Sequence, residues 1–476
     1  MPRAYRVLPA ISLSVLLAGD LIAAKPRSAA LPMRTISAIE RPIKDALAAR
    51  QMPGATVAVA FDDGRLFSKH YGSATLKAEA PVTSVTLFRT GSISKLVTAL
   101  VIMRLAEEGR LTLDAPIASI FPSHETLSRL PPAVTVRRLL NHTSGLPDYT
   151  RAELEAKVAR GVVTDADLTA VLKRPLLSEP GRVWSYADAP FRILSLAIER
   201  ISGLSYERYI SERLAPALGL RSIRVCAPGA ADHAAGYLSR DSRLLPEPAY
   251  AIRGLLGEGG LCATAEDLAR LPAAAKNGSW ISAASLSAMT APTRLEGGQL
   301  VDYGLGVRRG LLGRTSAWGH TGGGPDGSWA SVAHYPKKGV TIAVLANGTG
   351  GNADAATLQG MVAAAVLGVS PPDKRTPDPA LARVVIGAYQ RGDQTTCVVP
   401  LKGKLVRTKL GSTSAPTPLL YQGSTVFARS DYPLDRFTFQ IEEGKSIGYR
   451  VYYDGLFAAY WRRSSDRACA EAGVTR

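Results

Sequence analysis

Nothing in this 476-residue chain is set out for metal chemistry. It has four cysteines and six histidines, and none of them falls at the spacing of a metal site. No long tract reads as disordered, and no internal repeat is visible. Acidic residues are the scarcer charge: 40 Asp and Glu face 57 Lys and Arg, a net charge of +17. The basic residues are scattered and Arg exceeds Lys, whereas a nucleic-acid footprint would form a patch or stripe. A basic surface is therefore expected and a nucleic-acid partner is not. The hydrophobic fraction of 46% and charged fraction of 20% are those of a globular chain of two or three domains.

A bilayer-spanning run is also missing. The apolar stretch Val7 to Gly19 is too short to cross, and Asp20 interrupts it. With Arg3 and Arg6 before it and Ala23–Ala24 or Ala29–Ala30 after it, the start reads as a secretory signal over 1–24, with cleavage as late as 30 the other option. An uncleaved anchor is the competing reading. "LLAGD" is similar to a lipoprotein cleavage box, but Asp20 stands where the thiol is required, so lipid attachment is not expected. The expected location is secreted or periplasmic, where disulfides are permitted. Cys397 and Cys469 share one C-terminal segment and form a candidate pair; Cys226 and Cys262 either pair or remain buried thiols.

What is present divides into two parts. Residues 34–50 read as a helix, and "GATVAVAFDDGRLFSKHYGSA" as a hairpin turning at Asp63–Gly64. "SKLVTALVIMRLAEEG" is apolar on nearly all sides, the mark of a buried helix, and stops at Gly109. Strand patterns return at "SWASVAHYP" and "GVTIAVLAN", followed by an apolar helix. Strands at both ends with helices between predict an α/β or α+β layered domain over 31–368, its antiparallel sheet closed by both termini. A proline-rich linker, 369–379, precedes short strands with tight turns over 380–476, predicted as a small all-β barrel or sandwich.

At the head of the apolar helix, "GSISK" places Ser92 and Lys95 one turn apart on one face. Serine is a weak nucleophile until a neighbour takes its proton. A lysine held beside it either takes that proton or organises the group that does. The helix N-terminus favours the negative charge that develops. About two chance S-x-x-K matches are expected in a chain this long, yet the pattern occurs once, on the most apolar helix. A capping serine with a snorkelling lysine is the structural alternative. "GKSIG" at 444–448 matches the nucleophile-elbow pattern, but both neighbours read as strands, so a hairpin turn is expected there.

Six stretches follow in order: "LFRTGSISK", "LLNHTSGLPDY", "PGRVWSYADAPFRILSLAIERISG", "GEGGLCATAEDLARL", "YGLGV" and "GHTGGGPDGSWASVAHYP". Together they resemble the serine β-lactamase and DD-peptidase superfamily, in its class C-like branch of esterases and D-aminopeptidases. The resemblance spans about residues 35–367. It implies the β-lactamase/transpeptidase-like fold and an acyl-enzyme on Ser92, with Lys95 and Tyr186 as catalytic partners. It implies an oxyanion hole from the N–H groups of Ser92 and Gly323, and substrate contacts from Asp188, His320, Thr321 and Gly322. It implies no cofactor or metal, and a β-lactam, a D-amino-acid-containing peptide (peptidoglycan-derived included) or a small ester as substrate. His142 is read as structural, Tyr149 and Trp184 as core packing or pocket lining, and Gly259–Gly260 as a close backbone approach or a turn. Two residues depart from the family pattern. Asp188 stands where Asn is usual, and a carboxylate there would keep Lys95 charged and favour Tyr186 as the base. His320 replaces a permanent cation. A non-catalytic envelope-binding or penicillin-recognising scaffold with the same fold is the reading from another class; intact Ser92, Lys95 and Tyr186 argue against it.

Overall fold

The structure, a computed structural model, describes residues 31–469 apart from internal stretches, the longest of them 157–163, 247–254, 350–354, 370–376 and 430–435. The signal-peptide reading and most of the proline-rich linker lie outside the described residues. Among the described residues no helix is long and apolar enough to cross a membrane.

In chain order, the elements that build the larger region begin with helix α1 (Met33–Ala48) and the hairpin β1 (Gly54–Phe61) and β2 (Leu66–Thr75). A two-residue strand β3 (Phe88–Arg89) leads into helix α2 (Ile93–Glu107). Helix α3 (Ala189–Ser202), short strands β4 (Arg224–Val225) and β5 (Leu261–Ala263), and helix α4 (Ala265–Ala274) follow. Strands β6 (Arg308–Leu312), β7 (Thr315–Gly323), β8 (Trp329–Tyr335) and β9 (Val340–Ala346) then lead to helix α5 (Ala355–Leu367). The antiparallel order β6-β7-β8-β9-β1-β2 brings the N-terminal hairpin beside the last strand.

Alternation sorts the two faces of this sheet. Val57 and Val59 of β1 and Ile342 and Val344 of β9 join a core with Ile39 and Ile43 of α1 and Leu358 and Val362 of α5. Their neighbours Ala58, Ala60, Ala343 and Leu345 face the opposite layer, with α2, α3 and α4. Each chain alternates as the register Val57↔Val344, Ala58↔Ala343 requires. Every residue of α2 from Ile93 to Met103 is buried, which accounts for its lack of a polar face. Gly64 turns the first hairpin at φ +86°.

The C-terminal region is an eight-stranded antiparallel barrel: β10 (Gly387–Arg391), β11 (Gln394–Leu401), β12 (Lys404–Lys409), β13 (Thr417–Gly423), β14 (Val426–Arg429), β15 (Arg436–Glu442), β16 (Lys445–Tyr453) and β17 (Leu456–Arg463). Pairing of Tyr389 with Arg463 and Gln390 with Arg462 closes it. Aromatic side chains fill it, among them Tyr389, Phe427, Phe437, Phe439, Tyr449 and Trp461. The GKSIG stretch opens β16 after a tight turn, with the Ser446 hydroxyl buried against Tyr389, so it is no nucleophile elbow. Cys397 of β11 is bonded to Cys469, and Cys226, next to β4, to Cys262 of β5. The barrel touches the first sheet where Leu456 of β17 pairs with Gly310 of β6. A shared cluster of Leu295, Val301, Tyr303, Tyr452 and Phe457 lies beneath that contact.

Candidate active site

Three short strands fix the turn that carries Ser92. β5 lies between β3 and β4, with Arg89 opposite Cys262 and Val225 opposite Leu261. The backbone N–H and hydroxyl of Thr90 both donate to the Leu261 carbonyl at 2.9 Å. In return, the Leu261 N–H donates to Ser94 Oγ at 3.1 Å. Ser92 therefore enters α2 from a turn bonded on both sides, with Lys95 one helical turn further on.

Lys95 is wholly buried. An ammonium has three donors, and its Nζ finds three acceptors: Ser92 Oγ at 3.1 Å, Asp188 Oδ1 at 2.6 Å and the Glu258 carbonyl at 3.0 Å. Burial alone would lower its pKa. The Asp188 charge, with help from Tyr186 and Glu258, outweighs that, and the net displacement is upward. Lys95 is thus held as a cation.

Asp188 immediately precedes α3 and is itself gripped from behind. Its own N–H and that of Ala189 donate to the two carboxylate oxygens of Asp148, at 2.9 and 3.0 Å. Burial, and then repulsion from Asp188, push Asp148 from 3.8 up to about 6, although the backbone donors pull the other way. Glu258 adds a third carboxyl. It is buried, neither of its oxygens has a hydrogen-bond partner among the described residues, and burial raises its pKa well above the usual carboxylate range.

A chain of buried rings joins the two sides of the site. The Ala187 N–H donates to His142 Nδ1 at 3.3 Å, so neutral His142 carries its proton on Nε2. That N–H donates to Tyr303 Oη at 3.1 Å, and the Tyr303 hydroxyl donates to His320 Nε2 at 3.1 Å. His320 Nδ1–H then donates to the Thr321 carbonyl at 2.6 Å. Burial drives the pKa of both imidazoles well down, consistent with this neutral chain. His142 adopts a left-handed backbone, φ +59°, uncommon for a side chain of this size. His320, for which the resemblance implies a substrate contact, is buried with both ring nitrogens engaged. Its place in the structure is to link β7 to the Tyr186 loop.

Tyr186 packs tilted on His142, with ring centroids 4.4 Å apart. Its ring centroid lies 5.0 Å from Lys95 Nζ and 5.0 Å from the Arg308 guanidinium, and its buried hydroxyl has no hydrogen-bond partner among the described residues. The end of β7 presses on the serine turn. A Cβ on Gly322 would meet the Thr90 carbonyl at 1.9 Å and the Ser92 nitrogen at 2.8 Å. One on Gly91, at φ +50°, would meet the Gly323 nitrogen at 2.7 Å. Only glycine backbones let the Ser92 and Gly323 peptides approach this closely. Thr321, between His320 and Gly322, is half-buried.

The structure thus gathers Ser92, Lys95, Tyr186, Asp188, Gly322 and Gly323 at one place. Sequence reasoning missed Tyr303, Arg308, Asp148 and the carboxyl of Glu258. The signal for Glu258 was an acid inside an apolar GEGGL segment. For Asp148 and Tyr303 it was a polar residue within a quoted motif. Nothing local pointed to Phe457, whose ring meets Trp184 edge-on at 5.2 Å.

Comparison with known proteins agrees with this geometry. The Beta-lactamase family pattern matches residues 39–367. A penicillin-binding protein of Bacillus subtilis strain 168 is 30% identical over 310 residues, 61% of this chain and 67% of its own. An esterase of Burkholderia gladioli is 33% identical over 190 residues, 37% of this chain and 48% of its own. Among solved structures, the octameric penicillin-binding protein homologue from Pyrococcus abyssi superposes over 90% of this chain and 99% of its own, at 26% identity and a TM-score of 0.61. The chain belongs to the Beta-lactamase family and is a serine hydrolase.

Proposed function

We propose that this protein is an exported hydrolase that works through a Ser92 acyl-enzyme on the amide bond of a D-amino-acid-containing peptide, with small esters and β-lactams as competing acyl donors. The observation that carries the reading is Lys95 Nζ bridging Ser92 Oγ and Asp188 from a fully buried position. A lysine held charged is a poor base, but at 3.1 Å it lowers the cost of an alkoxide on Ser92. Tyr186, acting as a phenolate stabilised by the same cation, takes the serine proton. The Ser92 oxygen attacks the substrate carbonyl, and the N–H groups of Ser92 and Gly323 hold the resulting oxyanion. Tyr186 returns its proton to the departing amine as the C–N bond breaks. Water, deprotonated by the same phenolate, then releases the acid and regenerates Ser92. The preference for D-amino-acid substrates is supported by the D-amino acid amidase of Ochrobactrum anthropi SV3, which shares the fold at a TM-score of 0.60 and 22% identity. Export is supported by the apolar leader read at 7–19 and by two disulfides, which persist in oxidising compartments.

The test is covalent labelling by a fluorescent penicillin and a fluorophosphonate, followed by a panel of nitrocefin, p-nitrophenyl esters, D-alanyl peptides and D-amino-acid amides. Labelling of the native protein and its loss in Ser92→Ala is expected, with turnover highest on a D-amino-acid amide or peptide. Labelling and turnover that persist in Ser92→Ala would remove the serine from this role.

A further inference from the structure

The barrel and the catalytic region enclose a cleft of about 670 Å³. Tyr186 forms part of its wall, with Lys95 close to the same ring. Arg308 lines it from β6, and the barrel contributes Arg391 from β10 and Arg462 from β17. No Asp or Glu is among its described lining residues. Nearby Glu296 and Glu179 are held outside it, Glu296 by Arg138 and both by Arg182. The guanidiniums are braced rather than loose: Arg308 donates to the Phe457 carbonyl at 2.8 Å, Arg462 to the Arg182 carbonyl at 3.2 Å, and Arg391 lies 5.4 Å from the Trp461 ring centroid. A guanidinium carries five donors, and those of Arg391 and Arg462 are brought to the cleft wall by the barrel. The amide side chains of Gln390 and Gln394 offer donors and acceptors of the kind a peptide backbone takes.

We infer that this cleft is a binding subsite for a carboxylate-bearing peptide segment on the leaving side of the scissile bond. The side follows from the proposed role of Tyr186: a group that protonates the departing amine has the leaving portion next to it. To that extent the inference rests on the proposed function. The chemistry of the occupant follows from the lining. Three cations without an acid select an anion, and planar guanidiniums pair with carboxylates in two-pronged fashion. The usual family cation is absent, since His320 is neutral, buried and engaged on both nitrogens. Carboxylate recognition therefore passes to arginines, two of them supplied by the barrel.

Binding to full-length Ser92→Ala protein reads the cleft without requiring turnover. Trp184, which lines the cleft, reports by fluorescence as N-acetyl-D-alanyl-D-glutamate or the uncharged N-acetyl-D-alanyl-D-glutamine amide is titrated. The dicarboxylate should bind roughly tenfold or more tightly than the amide, as expected for charge-assisted pairs. Salt at about 0.5 M should erode that preference. Arg391→Glu with Arg462→Glu should abolish or invert it, and the milder pair Arg391→Gln and Arg462→Gln should reduce it if the reversal impairs folding. Equal affinities, or a preference that survives both pairs of substitutions, would overturn the inference. Charge-selective binding by Ser92→Ala beside a native protein that labels with neither probe would leave the cleft standing and sink the acyl-enzyme reading. Labelling and turnover without charge selectivity would do the reverse.

Discussion

The chemistry of single residues turns on three carboxyls around one ammonium. Asp188 holds Lys95 charged, and Asp148 holds the backbone of Asp188. Below about 6 Asp148 takes up a proton and its grip on those two N–H groups weakens, so acylation should fall as pH drops through that value. Asp188→Asn removes the like charge that helps raise Asp148 and the counter-ion that raises Lys95. The fall should then move to lower pH, and reaction with peptide and β-lactam substrates should improve relative to esters, because Asn also donates to a substrate amide. Superimposable acylation profiles for the two proteins would disconnect Asp188 from both neighbours. Stability has the opposite sign. A carboxyl raised from 3.8 to about 6 stabilises the fold below the lower value and loses that contribution as pH rises through the higher one. Asp148→Asn should therefore flatten the dependence of Tm on pH between those values. Tyr303→Phe is a separate case. It leaves two buried ring nitrogens, on His142 and His320, without their partner, and should cost about 1–3 kcal/mol in denaturant unfolding. It should also lower kcat more than it raises KM, since the ring chain sets the spacing of Tyr186 from β7.

Among elements, the contact that matters most is the end of β7 against the turn before α2. Gly322→Ala drives a methyl into the Thr90 carbonyl and the Ser92 amide. Overpacking of this kind costs about 1–3 kcal/mol. The N–H pair would be displaced, and acylation should fall at least about 10²-fold, the scale of losing one oxyanion donor, while circular dichroism stays native. An unchanged labelling rate would place the oxyanion donors elsewhere. Much of this arrangement was legible in the sequence. The apolar α2 headed by Ser92 and Lys95, the Asp63–Gly64 hairpin and the closing strands β8 and β9 all follow from local periodicity and turn chemistry. What was not legible depends on partners far along the chain. Tyr303 lies 161 residues from His142 and Glu258 lies 163 from Lys95, and no local pattern encodes either meeting. The same holds for His320: its position in the motif was clear, but not the tyrosine bonded to its Nε2.

The whole molecule is a layered hydrolase with a barrel leaning on its active site. If the proline-rich linker is a domain boundary, a chain ending near Pro372 should still fold, since α5 already completes the catalytic core. It would nevertheless lose the Phe457 carbonyl that anchors Arg308, and the Arg450 and Tyr452 side chains that bond Asp302 at 3.0 and 2.5 Å. Its Tm should drop, and its discrimination between charged and neutral substrates should vanish. An insoluble product would show instead that the barrel completes the core. One pairing has a further consequence. In the catalytic sheet β6 is terminal, and its outer side is covered in part by Asp302, whose carbonyl accepts the Arg309 N–H at 2.9 Å, and in part by Leu456 and Phe457 of the barrel. The barrel closes on itself and so offers no free margin of its own. By lending one strand to its neighbour it also shields the open margin there, where Leu311 is already 45% exposed. Cutting the chain at the linker would turn that margin into a template for the next molecule. Such a product should self-associate as its concentration rises, visible in light scattering, and the intact chain should not.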